Sequence, residues 1–431
     1  MTTLLSFLFV LGVLIFIHEL GHFMVAKFLG IKVEKFSLGF PPKMVGKKIG
    51  ETEYCISWIP LGGYVRMAGD NPEEELTGSP REFLSRPRWQ RALVIFAGPA
   101  MNYLFAILVV WLMWSITGIG TYPAVIGEVA DGSPAQTMGL KVEDRVTAVN
   151  GQQVSTWDEI IEALPEDSGR VIVQVLRSGR TLQLAGDLPL KITDRSDRLG
   201  ISPLFTTEVG EVQKNGPAYQ IGIRSGDMIE TVNGNPVIRW SEMARLIQSR
   251  PDTLITLRWR SGEQVRTDTL TTLSMEVPGE DGEMITAGYV GITSKVTLKR
   301  IGIFRTAMES VRWTLQTTRE ILQFIKGLMT GKVSARMVGG PIFIAQVAGQ
   351  TARQGFDYLI FYIALLSVNL ALINVLPVPV LDGGQLCILL VESLKGSSLS
   401  QRQRLIAQQI GLALIILLII FVMFNDVDRI L

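Results

Sequence analysis

The sequence is poor in charge, cysteine and histidine, and each shortage excludes a class of protein. Charged residues make up 19% of the 431 positions, and 41 basic against 40 acidic side chains give a formal net charge of +1. No basic field therefore favours a nucleic-acid partner. Cys55 and Cys387 are the only cysteines, too few for a disulfide framework or a four-thiolate metal site. We expect both to be buried thiols.

Hydrophobic residues, by contrast, reach 47% and are concentrated in blocks near the two ends of the chain. The blocks cover about 4–26, 92–116, 358–376 and 406–424. Each is long enough to cross a bilayer as a helix. The first block could instead be a removable signal peptide, but it is too long and has no basic region before it. The pattern predicts a polytopic α-helical membrane protein with four transmembrane helices and a long polar insert.

Basic residues beside these blocks predict how the chain is oriented, because cytoplasmic loops carry an excess of lysine and arginine. The loop between the first two blocks holds Lys27, Lys32, Lys35, Lys43, Lys47, Lys48, Arg81, Arg86, Arg88 and Arg91, and the loop between the last two holds Lys395, Arg402 and Arg404. We expect both loops to be cytoplasmic. The uncharged N-terminus, the acidic C-terminus and the insert then lie on the opposite side.

The insert contains a repeat with an offset of 83 residues, which indicates duplication. Gly127-Glu128-Val129 recurs as Gly210-Glu211-Val212, and Asn150-Gly151 recurs as Asn233-Gly234. Short alternating apolar runs and the Asn-Gly turn dipeptide are typical of small strand-rich domains. The pattern from Gly222 to Gly234 resembles bacterial PDZ domains. We therefore predict a mixed fold class, with two inserted α+β PDZ-like domains at 121–205 and 206–298.

PDZ domains usually bind an extended peptide or a free C-terminus by strand addition. Leu199-Gly200-Ile201 and Val290-Gly291-Ile292 resemble the carboxylate-binding loop of such domains. The alternative is that the two domains act only as a rigid cover or size filter over the membrane part. The sequence leaves both functions open.

The segment 299–335 follows the insert and alternates apolar and charged residues at helical spacing. This pattern predicts an amphipathic helix at the membrane interface. A core helix of the adjoining domain is the alternative.

The two histidines of the chain fall in His18-Glu19-Leu20-Gly21-His22, inside the first apolar block. On a helix their imidazoles lie about 6 Å apart along the axis and on one face, so both can reach one metal ion. Glu19 is turned by about 100° and can reach water at that ion. Ionisable groups inside a membrane are costly and usually functional. A purely structural cluster of His and Glu is the alternative.

A catalytic zinc site needs a third protein ligand besides these histidines and keeps a position for water. With no further histidine in the chain, that ligand is a carboxylate, a thiolate or a backbone group. Asp382 is the leading candidate, because Pro377, Pro379 and the following Gly pair break the helix around it within or at the edge of the membrane. Cys387 is the alternative ligand.

Together the motifs resemble the site-2 protease family of intramembrane zinc metalloproteases, and most closely its bacterial RseP-type branch. The resemblance rests on HExxH at 18–22, Asn-x-x-Pro-x-Pro-x-Leu-Asp-Gly-Gly at 374–384 and the two PDZ-like domains between. It implies one catalytic Zn²⁺ and cleavage within the transmembrane segment of single-span membrane proteins. Implied substrates are a pre-cleaved anti-sigma factor and remnant signal peptides. The implied location is the bacterial inner membrane, with both termini and the PDZ-like domains in the periplasm.

The resemblance also implies roles for individual residues. His18, His22 and Asp382 are similar to the zinc ligands and Glu19 to the catalytic base. The residues expected to bind substrate are Asn374, Gly62, Gly63, Tyr64, Pro377 and Pro379. Relatives often carry His where this chain has Gln385, so a function of that His does not transfer.

The segment 53–67 resembles the family's membrane-associated β-hairpin and is predicted to form two strands joined at Gly62-Gly63. An ordinary cytoplasmic hairpin is the alternative. Gly98, Pro99 and Asn102 either let the second span approach the site or serve packing alone. The predicted divisions are then 1–120, the two insert domains, 299–335 and 336–431. Two rival functions are a membrane-bound PDZ scaffold and, with less support, a metal transporter.

Overall fold

A computed structural model describes residues 2–71, 77–165, 168–188, 198–214, 216–278, 284–397 and 399–428. The chain forms two compact units. One combines Met1–Ile116 with Gly302–Leu431, and the other is Thr117–Ile301.

The first unit is mainly helical, and helices are numbered here along the whole chain. Four of its described helices are long and apolar enough to cross a membrane: α1 (Thr2–Phe28), α2 (Arg88–Thr117), α9 (Phe356–Val375) and α11 (Gln401–Asp428). Three further helices are α7 (Ile303–Met329), α8 (Pro341–Gln354) and α10 (Asp382–Lys395). The hydropathy pattern did not indicate α8 and α10, because both are short and mix polar with apolar residues.

Large apolar side chains cover the outside of the long helices. Leu5 on α1 is 63% exposed, and Ile420 on α11 is 61% exposed. In water each such side chain would forfeit about 25 cal/mol for every Å² of apolar surface left unburied, and a contiguous surface of this kind is rare on soluble monomers. In hydrocarbon the same surface carries no penalty. The mixed membrane fold predicted from composition is therefore confirmed at the level of spanning helices with small sheets.

Helix α7 buries its small polar side chains and exposes its large apolar ones. Thr306, Ser310 and Thr314 are fully buried, whereas Phe304 is 87% exposed. The buried hydroxyls bond to their own helix: Thr314 Oγ1 donates to the Ser310 carbonyl at 2.8 Å, a bond open to Ser and Thr in helices. The outward apolar face is typical of a helix in contact with lipid. Its location at the membrane interface stays a prediction.

The sheet after α1 corrects one prediction. Strands β1 (Val33–Ile49) and β2 (Thr52–Met67) are antiparallel, and the turn between them is at residues 50–51. The turn expected at Gly62-Gly63 is wrong, because both glycines lie inside β2. They satisfy packing instead of a turn: a Cβ on Gly62 would overlap the Phe40 ring, and one on Gly63 would press on Ile15.

Both strands bend, so that the sheet has four segments in the order 63–67, 33–38, 53–56 and 43–49. Phe36 illustrates the arrangement, since it pairs with Val65 on one side and with Tyr54 on the other. Segment 63–67 is therefore an edge strand. Among the described residues no other strand pairs with its outer side.

The second unit repeats one arrangement twice. The first copy contains β4 (Ile126–Val129), α3 (Pro134–Met138), β5 (Arg145–Val149), β6 (Gln152–Gln153), α4 (Trp157–Ala163), β7 (Gly169–Arg177), β8 (Arg180–Leu188) and β9 (Ile201–Pro203). The second contains β10 (Val209–Val212), α5 (Pro217–Gln220), β11 (Met228–Val232), β12 (Asn235–Pro236), α6 (Trp240–Gln248), β13 (Leu254–Ser261), β14 (Gln264–Thr271) and β17 (Ile292–Ser294). Their main sheets have the same order, β6-β5-β7-β8 and β12-β11-β13-β14.

Two further strand pairs complete this unit. The hairpin β15 (Leu273–Pro278) with β16 (Met284–Tyr289) belongs to the second copy, and β3 (Ile119–Thr121) pairs with β18 (Thr297–Lys299). The β3–β18 pair joins the first and the last strand of the unit.

Equivalent residues perform equivalent local tasks in the two copies. Asn150 and Asn233 adopt φ of 49° and 50°, the left-handed conformation that Asn tolerates at a tight turn. Asp144 Oδ2 accepts a hydrogen bond from the Lys141 N–H at 2.8 Å, and Asp227 Oδ2 accepts one from the Arg224 N–H at 2.8 Å. The 83-residue offset thus corresponds to a structural duplication.

The two cysteines differ in burial. Cys55 is buried as predicted, but Cys387 is exposed, which contradicts the prediction. The reason is its position on α10: at about 100° per residue, it lies on the far side of the helix from Leu389 and Glu392, which are buried.

Glu159 on α4 gives the second unit an acid-sensitive contact. Burial alone would raise the pKa of Glu159, but Lys299 and Ser155 lower it from 4.5 to about 2. Lys299 Nζ donates to Glu159 Oε1 at 2.8 Å, and the Ser155 N–H donates to Oε2 at 2.8 Å. A depressed folded-state pKa stabilises the fold above pH 4.5, and this contribution is lost as the pH falls toward 2.

We predict that Glu159→Gln lowers the thermal midpoint of this unit at pH 7, and that the difference from wild type shrinks between pH 4.5 and 2. Calorimetry of the full chain at several pH values measures it. Glu128→Gln, at an exposed position in the same unit, is the control and should behave as wild type throughout. An equal deficit of Glu159→Gln at pH 6 and pH 2.5 would contradict the assignment.

Candidate active site

Three metal-ligating side chains converge at the centre of the first unit. His18 and His22 lie one turn apart on α1, and their Nε2 atoms are 3.3 Å apart. Asp382, the first residue of α10, places Oδ2 at 3.2 Å from His18 Nε2 and 3.6 Å from His22 Nε2. In the described part of the chain these residues form the one group of His, Cys, Asp and Glu suited to holding a metal ion.

The separations fit a tetrahedral zinc site. Zinc binds imidazole nitrogen and carboxylate oxygen at about 2.0 to 2.2 Å, which places neighbouring ligand atoms of a tetrahedron about 3.3 to 3.6 Å apart. Asp382 Oδ2 is buried and makes no hydrogen bond within the protein, as expected of an atom whose partner is a metal. Cys387 is exposed and lies outside this group, so the thiolate alternative is not supported.

The break between α9 and α10 delivers Asp382 to the histidines. Helix α9 ends at Val375, and the chain turns back over 376–381 before α10 starts. A Cβ on Gly383 would overlap the Val375 carbonyl, and one on Gly384 would overlap the Val378 carbonyl. The Gly pair therefore lets α10 begin directly against the preceding segment. An Asp in the first turn is also favoured by the helix dipole.

Helix α2 packs closely behind the two imidazoles. His22 Nδ1 donates a hydrogen bond to the Val94 carbonyl at 2.8 Å. A Cβ on Gly98 would overlap both imidazoles, and one on Gly21 would overlap the Ala97 carbonyl. Glycine on each helix thus sets the approach of α1 to α2, in the manner of small residues between membrane helices.

A cavity of about 430 Å³ opens in front of the three ligands. Glu19 lies in its wall, together with Val65 of the edge strand. Gln385 also lines this cavity. A carboxylate, a candidate metal site and a strand edge therefore share one polar space, which is an arrangement suited to peptide hydrolysis.

The residues predicted to bind substrate are divided between several places. Gly63 and Tyr64 line the cavity, and Gly62 packs against Phe40. Pro379 lines an adjoining cavity of about 190 Å³. Asn374, in the last turn of α9, and Pro377 are not among the described residues that line either cavity. Their predicted substrate contacts stay predictions.

Sequence reasoning missed the ion cluster in the adjoining cavity. Glu392 is fully buried, with Arg404 Nη2 at 2.5 Å from Oε1 and Arg91 Nη2 at 3.8 Å from Oε2. The cluster links α10, α11 and α2. Buried ions are retained only where they are paired, so a lone Glu directly after the apolar residues 386–391 was a usable signal for such a partner. The hydrogen bond from His22 to the Val94 carbonyl was also missed, because every residue type has a backbone carbonyl and the sequence does not indicate which one acts as acceptor.

Comparison with known proteins agrees with this geometry. The model of Peptidase family M50 matches residues 6–418. With a metal site of this kind among membrane-spanning helices, the chain is a zinc metalloprotease of the intramembrane, site-2 protease class. It belongs to Peptidase family M50.

Full-length relatives carry matching names. The chain is 35% identical to the regulator of sigma-E protease RseP of Escherichia coli K12, covering 99% of this chain and 98% of the relative. It is 33% identical to a Neisseria meningitidis serogroup A protein that carries the name of a zinc metalloprotease, covering 100% of both chains. A solved PDZ domain from a Listeria monocytogenes SdrC-like protein aligns with 22% of the chain and 90% of that domain, at 18% identity and a TM-score of 0.17, too low to support any conclusion.

We predict that Gly98→Ala reduces bound zinc and proteolysis together, because the added methyl group would displace both imidazoles. Gly12→Ala is a matched control on α1, where a Cβ meets nothing within 4 Å, and it should keep wild-type zinc content. Elemental analysis of purified protein and a cleavage assay measure both quantities. Full zinc occupancy in Gly98→Ala would show that α2 does not restrain the imidazoles.

Proposed function

We propose that the protein is an intramembrane zinc metalloendopeptidase that uses a single catalytic zinc ion, held by His18, His22 and Asp382. Its reaction is hydrolysis of a peptide bond within the transmembrane segment of a single-span membrane protein. The observation that carries the proposal is the convergence of the three ligand atoms at 3.2 to 3.6 Å, in a cavity bordered by a carboxylate and an edge strand.

Bound zinc supplies a Lewis acid that polarises the scissile carbonyl and lowers the pKa of water toward neutrality. Glu19 is the general base: its carboxylate takes a proton from the attacking water and delivers it to the leaving amine. Its place in the cavity wall beside the ligands supports this function. The Nδ1 atoms of His18 and His22 face protein groups from α2, which leaves both Nε2 atoms toward Asp382.

The edge strand at 63–67 positions the substrate. A helical substrate keeps its carbonyls in its own hydrogen bonds, so it must unwind before cleavage, and in a membrane the lost bonds must be replaced. Strand addition at an exposed edge replaces them. Asn374, with Pro377 and Pro379 near it in sequence, contacts the opened backbone in this proposal. Helix-breaking residues in the substrate therefore favour cleavage.

The names of the full-length relatives support a narrower substrate class. Since several are named regulators of sigma-E, we infer that the substrate is a membrane-bound anti-sigma factor already shortened by another protease, with remnant signal peptides as a second class. In this proposal the protein is a four-span inner-membrane protein that acts in a stress response. Both termini and the insert lie in the periplasm.

We further propose that the second unit comprises two PDZ-like domains, 121–205 and 206–298. The membrane part is then 1–120 and 336–431, with 299–335 as the interfacial helix. The duplicated strand order supports this division. The domains either bind a peptide C-terminus or limit substrate size. Titrating the full-length protein with peptides that end in a free carboxylate or in an amide distinguishes these functions.

We predict that Glu19→Gln abolishes cleavage of a single-span substrate while zinc content stays at one ion per chain, because the amide cannot accept the proton from water. Cleavage in detergent and elemental analysis measure the two properties. Full activity of the metal-loaded variant would exclude Glu19 as the base. Wild-type protein that binds zinc but cleaves no candidate substrate would favour a membrane-bound scaffold.

We predict that Gly63→Ala lowers the cleavage rate, because its Cβ would press on Ile15 and on Glu19 Cγ and shift the edge strand. Gly169→Ala, where a Cβ meets nothing within 4 Å, is the control. Steady-state cleavage of a single-span substrate gives kcat and KM. Unchanged values for Gly63→Ala would argue against this edge as the substrate-binding strand.

A further inference from the structure

Asn102 on α2 is fully buried, with its amide against His18. The amide nitrogen lies 3.3 Å from His18 Nδ1, and the amide oxygen is buried without a hydrogen-bond partner. The position of the residue is fixed from α9, because Ser367 Oγ donates to its backbone carbonyl at 2.9 Å. A buried carbonyl oxygen without a donor is costly, so this amide needs a partner.

The chemistry of a metal-binding imidazole provides that partner. When Nε2 binds a metal, the hydrogen of a neutral imidazole is on Nδ1, which then requires an acceptor. His22 meets the requirement through the Val94 carbonyl. For His18 the neighbour is the Asn102 amide, whose oxygen and nitrogen are interchangeable by a 180° rotation. With the oxygen toward His18, both the Nδ1 hydrogen and the amide oxygen are satisfied.

The partners of the two imidazoles lie on one face of α2. Val94, Gly98 and Asn102 follow one another at four-residue intervals and so lie on one face of the helix. The Val94 carbonyl contacts His22 Nδ1, and the Asn102 amide contacts His18 Nδ1. Gly98 leaves room for both rings. One face of α2 therefore provides the outer support for both imidazoles.

We propose that Asn102 is a positioning residue whose amide oxygen accepts the His18 Nδ1 hydrogen, so that the imidazole presents Nε2 to zinc. The inference rests on the proposed zinc site and adds a residue to it. Outer partners of ligand histidines typically contribute about 10- to 100-fold in metal affinity.

Two substitutions separate the amide oxygen from the amide nitrogen. Asn102→Leu keeps the branched shape with the same number of side-chain heavy atoms and removes both polar groups. Asn102→Asp keeps an acceptor in the same place and removes the N–H donor. We expect zinc to bind about 10- to 100-fold more weakly to Asn102→Leu and within a few-fold of wild type to Asn102→Asp.

The experiment is chelator competition for zinc with full-length protein in detergent, together with the absorption spectrum of the cobalt-substituted site. Thermal midpoints of the metal-free proteins report on the fold. If Asn102→Leu does not fold, Asn102→Asp decides alone: near wild-type affinity supports the proposal, and a loss greater than tenfold overturns it. Unchanged affinity in a folded Asn102→Leu also overturns it.

Wild-type protein serves to distinguish failure of this inference from failure of the proposed function. If wild type binds zinc and both variants bind it equally well, Asn102 is not a positioning residue and the zinc site stands. If wild type binds no zinc, the proposed function fails and this inference fails with it.

Discussion

The structure depends on satisfying a few polar groups inside a helix bundle whose outer surface is apolar. Two imidazoles and a carboxylate lie between membrane-spanning helices, where ionisable groups are costly unless they are paired or face a polar cavity. Each imidazole has a polar neighbour at Nδ1: His22 has the Val94 carbonyl, and His18 has the Asn102 amide. The Asp382 Oδ2 atom is buried and makes no hydrogen bond within the protein, which fits the proposed binding of a cation. The same constraint explains why α2, α9 and α10 all converge here.

Close backbone approach makes that convergence feasible, and glycine is the residue that permits it. Gly21 and Gly98 set the contact between α1 and α2, and Gly383 and Gly384 let α10 start against the end of α9. These positions have no polar side chain, yet they fix ligand geometry to within the tolerance of a metal site. Van der Waals packing thus determines the chemistry as much as the ligands do.

The sequence predicted the spans, the duplication and the meeting of the His18, His22 and Asp382 side chains, because each leaves a local or periodic mark. HExxH has a fixed helical geometry, and the 83-residue offset persists in the strands. The sequence failed where tertiary contacts decide. Gly62-Gly63 resembles a turn in sequence. In the structure Gly62 lies inside a strand, where the Phe40 ring leaves no room for a side chain. Cys387 resembles a buried residue by its apolar neighbours, but the orientation of α10 exposes it.

The two edges of the sheet after α1 are protected by different means. The outer segment 43–49 carries Lys43, Lys47 and Lys48, all exposed, and charged edges of this kind discourage pairing with other strands. The edge at 63–67 instead lines the cavity, where Val65 and Glu19 share the wall. A substrate strand that pairs with this edge would therefore lie beside the Glu19 carboxylate, because the edge and the carboxylate border the same space.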